Sequence, residues 1–421
     1  MNTSRRWEID ALRGLMLLLM TVTHLPTRLS SPLGQPFGFV SAAEGFVLLS
    51  AYMAGLVYSR FAYSDSIEAM RKAFWRRALT VYLCQAATLL FLFTVIAAIG
   101  IKVDQPAVKD LMAFYLQDPH SAFFASLLLI YQPPLLDILP LYVLFMLISP
   151  WVLAWALRHN WAVVLLASFA VWLLAQFGLA EWVYHLMVSA TGLKVPFSET
   201  GSFVTFSWQL IWMTGLWMGA SRNAPDARPF VFSNRLSAAA LVIAVTGLVW
   251  RHWQGQAPFG ADVSLNLLFD KWLLGPLRLL DLFALCIVTL RFGPALASRM
   301  PRLRWLEALG SASLPVFCAQ LVVVLLVLTL FGSNPLVHPW WLDALLLVGC
   351  FATLYAVAQL TLWLERPSRR SRESAVSVSN FAAAVEMAGQ PESLEPPEPL
   401  GQSAPADAVA RAKSPLPSTA P

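Results

Sequence analysis

Three ionisable residues share one apolar stretch near the start of the chain: Asp10-Ala11-Leu12-Arg13-Gly14, then a hydrophobic run that ends at Thr23-His24-Leu25-Pro26. In a helix that turns about 100° and rises about 1.5 Å per residue, Arg13 and His24 lie about 20° apart around the axis and about 16 Å apart along it. They point the same way at two depths. Asp10 falls about 40° to the other side of that line. A charge inside a bilayer costs roughly 2.5–3.5 kcal/mol on insertion scales, so such groups face the bundle interior, where they pack helices or do chemistry. Imidazole titrates near neutrality, and a histidine held near a carboxylate is suited to taking a proton from a hydroxyl. An arginine further inward on the same face can hold the phosphates or polar arm of an acyl carrier. Together they suit acyl transfer across a membrane.

The elements that must position these residues follow from composition. Hydrophobic residues make up 58% of the 421 positions and charged ones 13%, against about a quarter charged in a soluble domain. The expected fold is therefore all-α, a polytopic integral membrane helix bundle. Runs near the ~20 residues that cross a bilayer fall at 8–27, 38–59, 77–100, 137–157, 161–180, 204–221, 236–251, 271–291, 311–332 and 340–364, ten in all. Arg5-Arg6 before the first run does not mark a cleavable signal, because Asp10 and Arg13 interrupt it and no small-residue cleavage pattern follows. Loops on the N-terminal side carry Arg60, Arg71, Lys72, Arg76, Arg77, Arg158, Arg222 and many later arginines, whereas the other side has only Arg28, Lys102, Lys109, Lys194, Arg251 and Lys271. The positive-inside rule then predicts that both termini are cytoplasmic. The net charge of +5 reads as orientation, with no nucleic-acid partner implied.

In the loop 101–136 the apolar piece Ser121–Tyr131 is too short to span and is expected to be an interfacial or re-entrant helix capped by Ser121. The transmembrane domain is placed at 1–365. Residues 366–421 form a Pro/Ser/Ala-rich tail that cannot bury a core and is expected to be disordered and cytoplasmic.

Assigning each helix a direction puts Glu44, Asp137, Tyr142, Gln209, Lys271, Arg278 and Asp281 in the outer half of the membrane, at depths comparable with His24. This convergence predicts a polar cavity that opens outward. Glu44 has no basic neighbour on its own helix for a full turn either way and is a candidate to work with His24. Asp137, Tyr142, Gln209 and Arg278 are candidate substrate-binding residues. Two alternatives stand beside this: Arg278 and Asp281, at i,i+3, as an ion pair, and Gln209 as an interhelical hydrogen bond. The four cysteines, Cys84, Cys286, Cys318 and Cys350, lack Cys-x-x-Cys spacing, so neither a disulfide framework nor a metal site is expected. No Walker loop, His-Glu-x-x-His or Gly-x-Ser-x-Gly pattern occurs, which removes the commonest ATPase, zinc-protease and serine-hydrolase readings.

The run Asp10–Gly14, the Arg-x10-His pair, Thr23-His24-Leu25-Pro26, the segment Gly38–Val47 and Ala54-Gly55-Leu56-Val57-Tyr58 resemble the OpgC family. So do Asp137-Ile138-Leu139-Pro140-Leu141-Tyr142 and Ser313-Leu314-Pro315-Val316-Phe317. These proteins add succinyl groups to osmoregulated periplasmic glucans and belong with the membrane acyltransferases that carry the Arg-x10-His motif. The resemblance covers roughly residues 7–365. It implies an acyltransferase of the bacterial inner membrane with an acyl-CoA co-substrate, succinyl-CoA in this family, no permanently bound cofactor, and a glucan hydroxyl as acceptor. It also implies that His24 is the catalytic base and Arg13 the donor-side arginine, with Asp10 and Glu44 at family-typical catalytic positions. One departure is Ser50-Ala51-Tyr52, where the family pattern is Ser-Gly followed by an aromatic.

Two other function classes compete. Buried Asp, Glu, His and Arg would suit a proton-coupled transporter of a polar or anionic small molecule or glycan, although no inverted repeat is visible. A non-catalytic partner of glucan synthesis proteins, docking through the tail, is the third. Mass spectrometry of periplasmic glucans from a deletion strain separates them by lost succinyl groups, lost glucan or unchanged glucan.

Overall fold

The computed structural model describes residues 7–225, 227–337 and 339–388. Among these the chain is helical and holds no strand beyond an isolated bridge between Phe37 and Val40. The principal helices are α1 Trp7–His24, α2 Ala42–Ser64, α3 Ile67–Phe91, α4 Ile138–Arg158, α5 Trp161–Ala175 and α6 Leu179–Thr191. Then come α7 Thr205–Ala220, α8 Asn234–Gln254, α9 Pro276–Ala297, α10 Arg304–Ser311, α11 Ser313–Phe331 and α12 Trp340–Ala388. The chain divides into two units, Met1–Leu364 and Glu365–Pro421. Arg5-Arg6 and most of the tail, residues 389–421, lie outside the described residues. Helix α12 runs past residue 366, where the tail's composition predicts disorder, and ends at Ala388.

Helix starts have local causes. Ser41 and Glu44 form a reciprocal capping box at α2, and the Ser66 and Ser233 hydroxyls accept from the backbone of Ala69 (3.1 Å) and Leu236 (3.2 Å) at α3 and α8. These bonds satisfy donors that a helix N-terminus leaves open. The loop between α3 and α4 does contain a short helix, Pro119–Leu127, but its cap is Asp118, which accepts from Ser121 N at 3.1 Å. Hydrogen bonds from Ser121 hold the Asp118 carboxyl below its usual range. The Asp118 carboxylate, immediately before Pro119, thus takes the cap in place of the serine three residues further on.

Seven helices are long and apolar enough to cross a membrane, and α5 with α6 makes an eighth if that bent pair is one span. The ten expected segments are all helical, yet ten spans are not reached by length and composition among the described residues. Helix α1 carries Glu8, Asp10 and Arg13, and α7 has only 16 residues. The apolar run 161–180 is broken, since α5 and α6 meet at 79° across Gly178, which takes φ +86. Helix α9 begins at Pro276 and not at 271, because proline fits the first turn of a helix.

Glycines set the closest crossings. Helices α2 and α7 pack through Gly55, Gly215 and Gly219, where an added Cβ would run into the facing backbone. Helices α1 and α10 meet in the same way at Gly14 and Gly310. Without a hydrophobic drive between helices in lipid, such close approach supplies the packing energy. Ala51, the departure noted above, faces Gly215 and is fully buried. The missing glycine on one helix is matched by one on its neighbour.

Candidate active site

Helix α1 runs unbroken from Trp7 to His24, so Arg13 and His24 hold the separation of about 16 Å that helical rise imposes. Helix α11 lies beside it, and each of the two residues touches it. Arg13 Nη2 donates to Ser313 Oγ at 2.5 Å, and His24 Nδ1 lies 3.2 Å from Gln320 Nε2. Ser313, Phe317 and Gln320, at i, i+4 and i+7, share one face of α11. That face therefore parallels the polar stripe of α1.

The Arg13 end opens into a narrow cleft lined by Ser50, Arg77, Tyr142, Ser313 and Phe317 among others. Its volume is about 20 Å³, room for roughly one ordered water. Two guanidiniums, two serine hydroxyls and a phenol thus face one small space. Tyr142 is held there by an edge contact with Trp212, centroids 4.8 Å apart. Asp10 is buried and pairs with Arg13, Nη1 to Oδ1 at 3.8 Å. It stands at the Arg13 end, about 21 Å along the helix from His24.

At the other end His24 is half-buried and Gln320 fully buried. A side-chain amide can present either face to a ring nitrogen. Its oxygen toward Nδ1 keeps a proton there and leaves Nε2 as the basic nitrogen, whereas its nitrogen toward Nδ1 puts the proton on Nε2. Gln320 therefore decides which nitrogen of His24 can act.

Glu44 is not the partner of His24 among the described residues. Its Oε2 accepts from the Ser41 backbone at 3.1 Å and from the Ser41 hydroxyl, and its Oε1 pairs with Arg278 Nε at 2.5 Å. Arg278, in turn, is not paired with Asp281, which accepts from Phe39 N at 3.0 Å in a slot walled by Gly38 and Gly247. Gly38 takes φ +86 there, a turn that lets the chain fold over the carboxylate and enter α2. Asp137 accepts from Ser202 N at 3.2 Å, which ties the start of α4 to the loop before α7. Gln209 bridges α7 to α5, accepting from Ser168 Oγ at 2.6 Å and donating to Ser168 O at 2.7 Å. That is the interhelical hydrogen bond anticipated for it, and Gln209 does not line the Arg13 cleft.

Of the candidate residues, then, Arg13 and Tyr142 share a cleft, Asp10 supports Arg13, and Glu44 and Arg278 form one buried pair. Asp137 and Gln209 stand apart, each engaged in packing. Two participants were not singled out. Arg77 reads in sequence as one more charge of the positive-inside loops. Gln320 is the lone amide in the apolar run 311–332, a signal that was present and carried no basic or acidic label.

The model of one protein family, described as OpgC protein, matches residues 5–366. No curated protein and no solved structure matches the chain.

Proposed function

Because the chain belongs to the OpgC family, whose membership points to glucan modification by acyl transfer, we propose that it moves an acyl group, succinyl in this reading, from a cytoplasmic acyl-CoA to hydroxyls of a periplasmic glucan. The observation that carries the proposal is the pair of contacts between α1 and α11, Arg13 to Ser313 and His24 to Gln320, which fixes two reactive ends on one line. In this reading both termini are cytoplasmic and the membrane is a bacterial inner membrane, which the basic loops on the N-terminal side support, so the Arg13 cleft is the donor end. Arg13 and Arg77 hold the phosphates or polar arm of the donor, and Ser50, Ser313 and Tyr142 offer further hydrogen bonds.

At the His24 end, the Gln320 amide turned with its oxygen toward Nδ1 keeps a proton there, and Nε2 takes the proton of the glucan hydroxyl. The hydroxyl oxygen attacks the thioester carbonyl, the C–S bond breaks, and the imidazolium returns the proton to the departing CoA sulfur. General-base assistance of this kind contributes about 10²–10⁴-fold. Acyl transfer in membranes at varied donor concentration tests the assignment, with protein level controlled by immunoblot. His24→Ala is expected to abolish nearly all transfer in a protein that still inserts. Arg13→Lys keeps the charge but loses the planar fork, so KM for the donor should rise more than KM for the acceptor. A His24→Ala protein that keeps more than about a tenth of the rate would move His24 to acceptor binding or packing.

A further inference from the structure

Lys271 sits in the turn Asp270–Gly275 that leads into α9, and this turn is tied down on every side. Trp208 Nε1 and Val204 N donate to Trp272 O at 3.1 and 3.2 Å, Gln176 Nε2 donates to Leu273 O at 2.8 Å, and Trp172 Nε1 donates to Leu274 O at 3.0 Å. Leu273 N closes the turn onto Asp270 Oδ1 at 2.6 Å. Leu274, fully buried, takes φ +50, a left-handed conformation that leucine adopts only when its surroundings impose it. The Lys271 side chain is thereby held over two aromatic rings, with Nζ 4.5 Å from the centroid of Trp272 and 5.8 Å from that of Phe203.

The ammonium is within electrostatic reach of His24, Glu44, Asp137 and Arg278. Among the described residues it nevertheless makes no hydrogen bond and no ion pair. The nearby anions are engaged elsewhere: Glu44 with Arg278 and Ser41, and Asp137 with Ser202. The other cations of the region are engaged too, since Arg278 pairs with Glu44, Arg251 donates to Gln35 at 2.7 Å, and Arg28 reaches Asp343 at 4.0 Å. A half-buried ammonium held over two aromatic rings, within electrostatic reach of the reacting histidine and with the nearby carboxylates engaged elsewhere, can pair with an incoming anion.

We propose that Lys271 selects the acyl group, by pairing with the terminal carboxylate of a short dicarboxylic acyl chain whose thioester end lies at His24. The proposal rests on the acyl-transfer reading and deepens it. The carbonyl under attack must lie at His24, so the far end of a chain of a few carbons falls within reach of a cation beside that histidine. Arg13, about 16 Å away along α1, is too far to serve both ends.

The test uses the full chain in membranes with glucan as acceptor and two donors of equal carbon count, succinyl-CoA and butyryl-CoA, which differ in the terminal carboxylate. Wild type is expected to favour succinyl. Lys271→Met should lose about tenfold or more of kcat/KM for succinyl-CoA, the order seen when one partner of a desolvated charge pair is removed, while butyryl transfer stays within about twofold. Lys271→Arg should keep most of the succinyl preference, and if Lys271→Met does not accumulate, Lys271→Gln makes the same comparison. Equal losses with both donors, or an unchanged succinyl-to-butyryl ratio, would overturn the assignment. A wild type that favours butyryl would overturn it as well while leaving acyl transfer standing. A wild type that transfers neither group would bring down the acyl-transfer reading itself.

Discussion

Glu44 has no exposed surface and both of its oxygens are in use, one at the cap of α2 and the other on Arg278. Replacing one partner of a buried pair strands the other, at a cost of about 3–5 kcal/mol. Glu44→Gln is therefore expected to lower the melting temperature of the purified protein in detergent markedly, while transfer per folded molecule falls less than in His24→Ala. In a double-mutant cycle, Glu44→Gln with Arg278→Gln should lose less than the sum of the singles. Strict additivity would show that the pair is not coupled. The sequence places Arg278 three residues before Asp281, and that spacing suggested a local ion pair. The real partner lies 234 positions away, and only the fold brings Phe39 N to Asp281, in the slot between Gly38 and Gly247. Which polar residues lie within apolar helices was legible in the sequence; Tyr142, expected at the depth of His24, instead shares the cleft of Arg13. Partnerships across helices were not legible, because hydropathy marks which segments are apolar and not which neighbour a side chain faces.

At the scale of elements, α2 and α7 depend on three glycines with no room for a side chain. Gly219→Val should destabilise the bundle by about 1–3 kcal/mol or more, since an overpacked contact forces the backbones apart. Thermal unfolding monitored by circular dichroism reads the loss, and Ala51→Gly, which only loosens the same crossing opposite Gly215, serves as the control. An unchanged transition in Gly219→Val would remove the crossing from the account of stability. Long apolar runs made ten of the twelve principal helices visible beforehand; α6 and α10 follow no membrane-length run, and the start of α9 at Pro276 was read five residues too early. The break at Gly178 stayed hidden because Gln176-Phe177-Gly178 interrupts the run too briefly for average hydropathy to register, and only the positive φ of the glycine turns the chain. The Asp118 cap was missed for a similar reason: Ser121 and Asp118 are both good caps, and geometry alone chooses between them.

For the whole molecule, the charges that keep α1 from looking like a membrane span are the ones that make it a candidate active-site helix. Topology therefore needs its own measurement. Reporter fusions at Ser64 and Gln117, on either side of the span Ile67–Val103, are expected to report opposite compartments, and the same compartment from both would undo the proposed orientation. The unbroken course of α1 also has a consequence for which donors can be used. A continuous helix is a ruler: it cannot shorten to suit a smaller molecule, and one inserted residue would swing His24 by about 100° off the line of Arg13. On the proposed reading, a donor must carry its phosphates and its thioester about 16 Å apart. Carriers with a long flexible arm meet that requirement, and small activated acids, however reactive, do not.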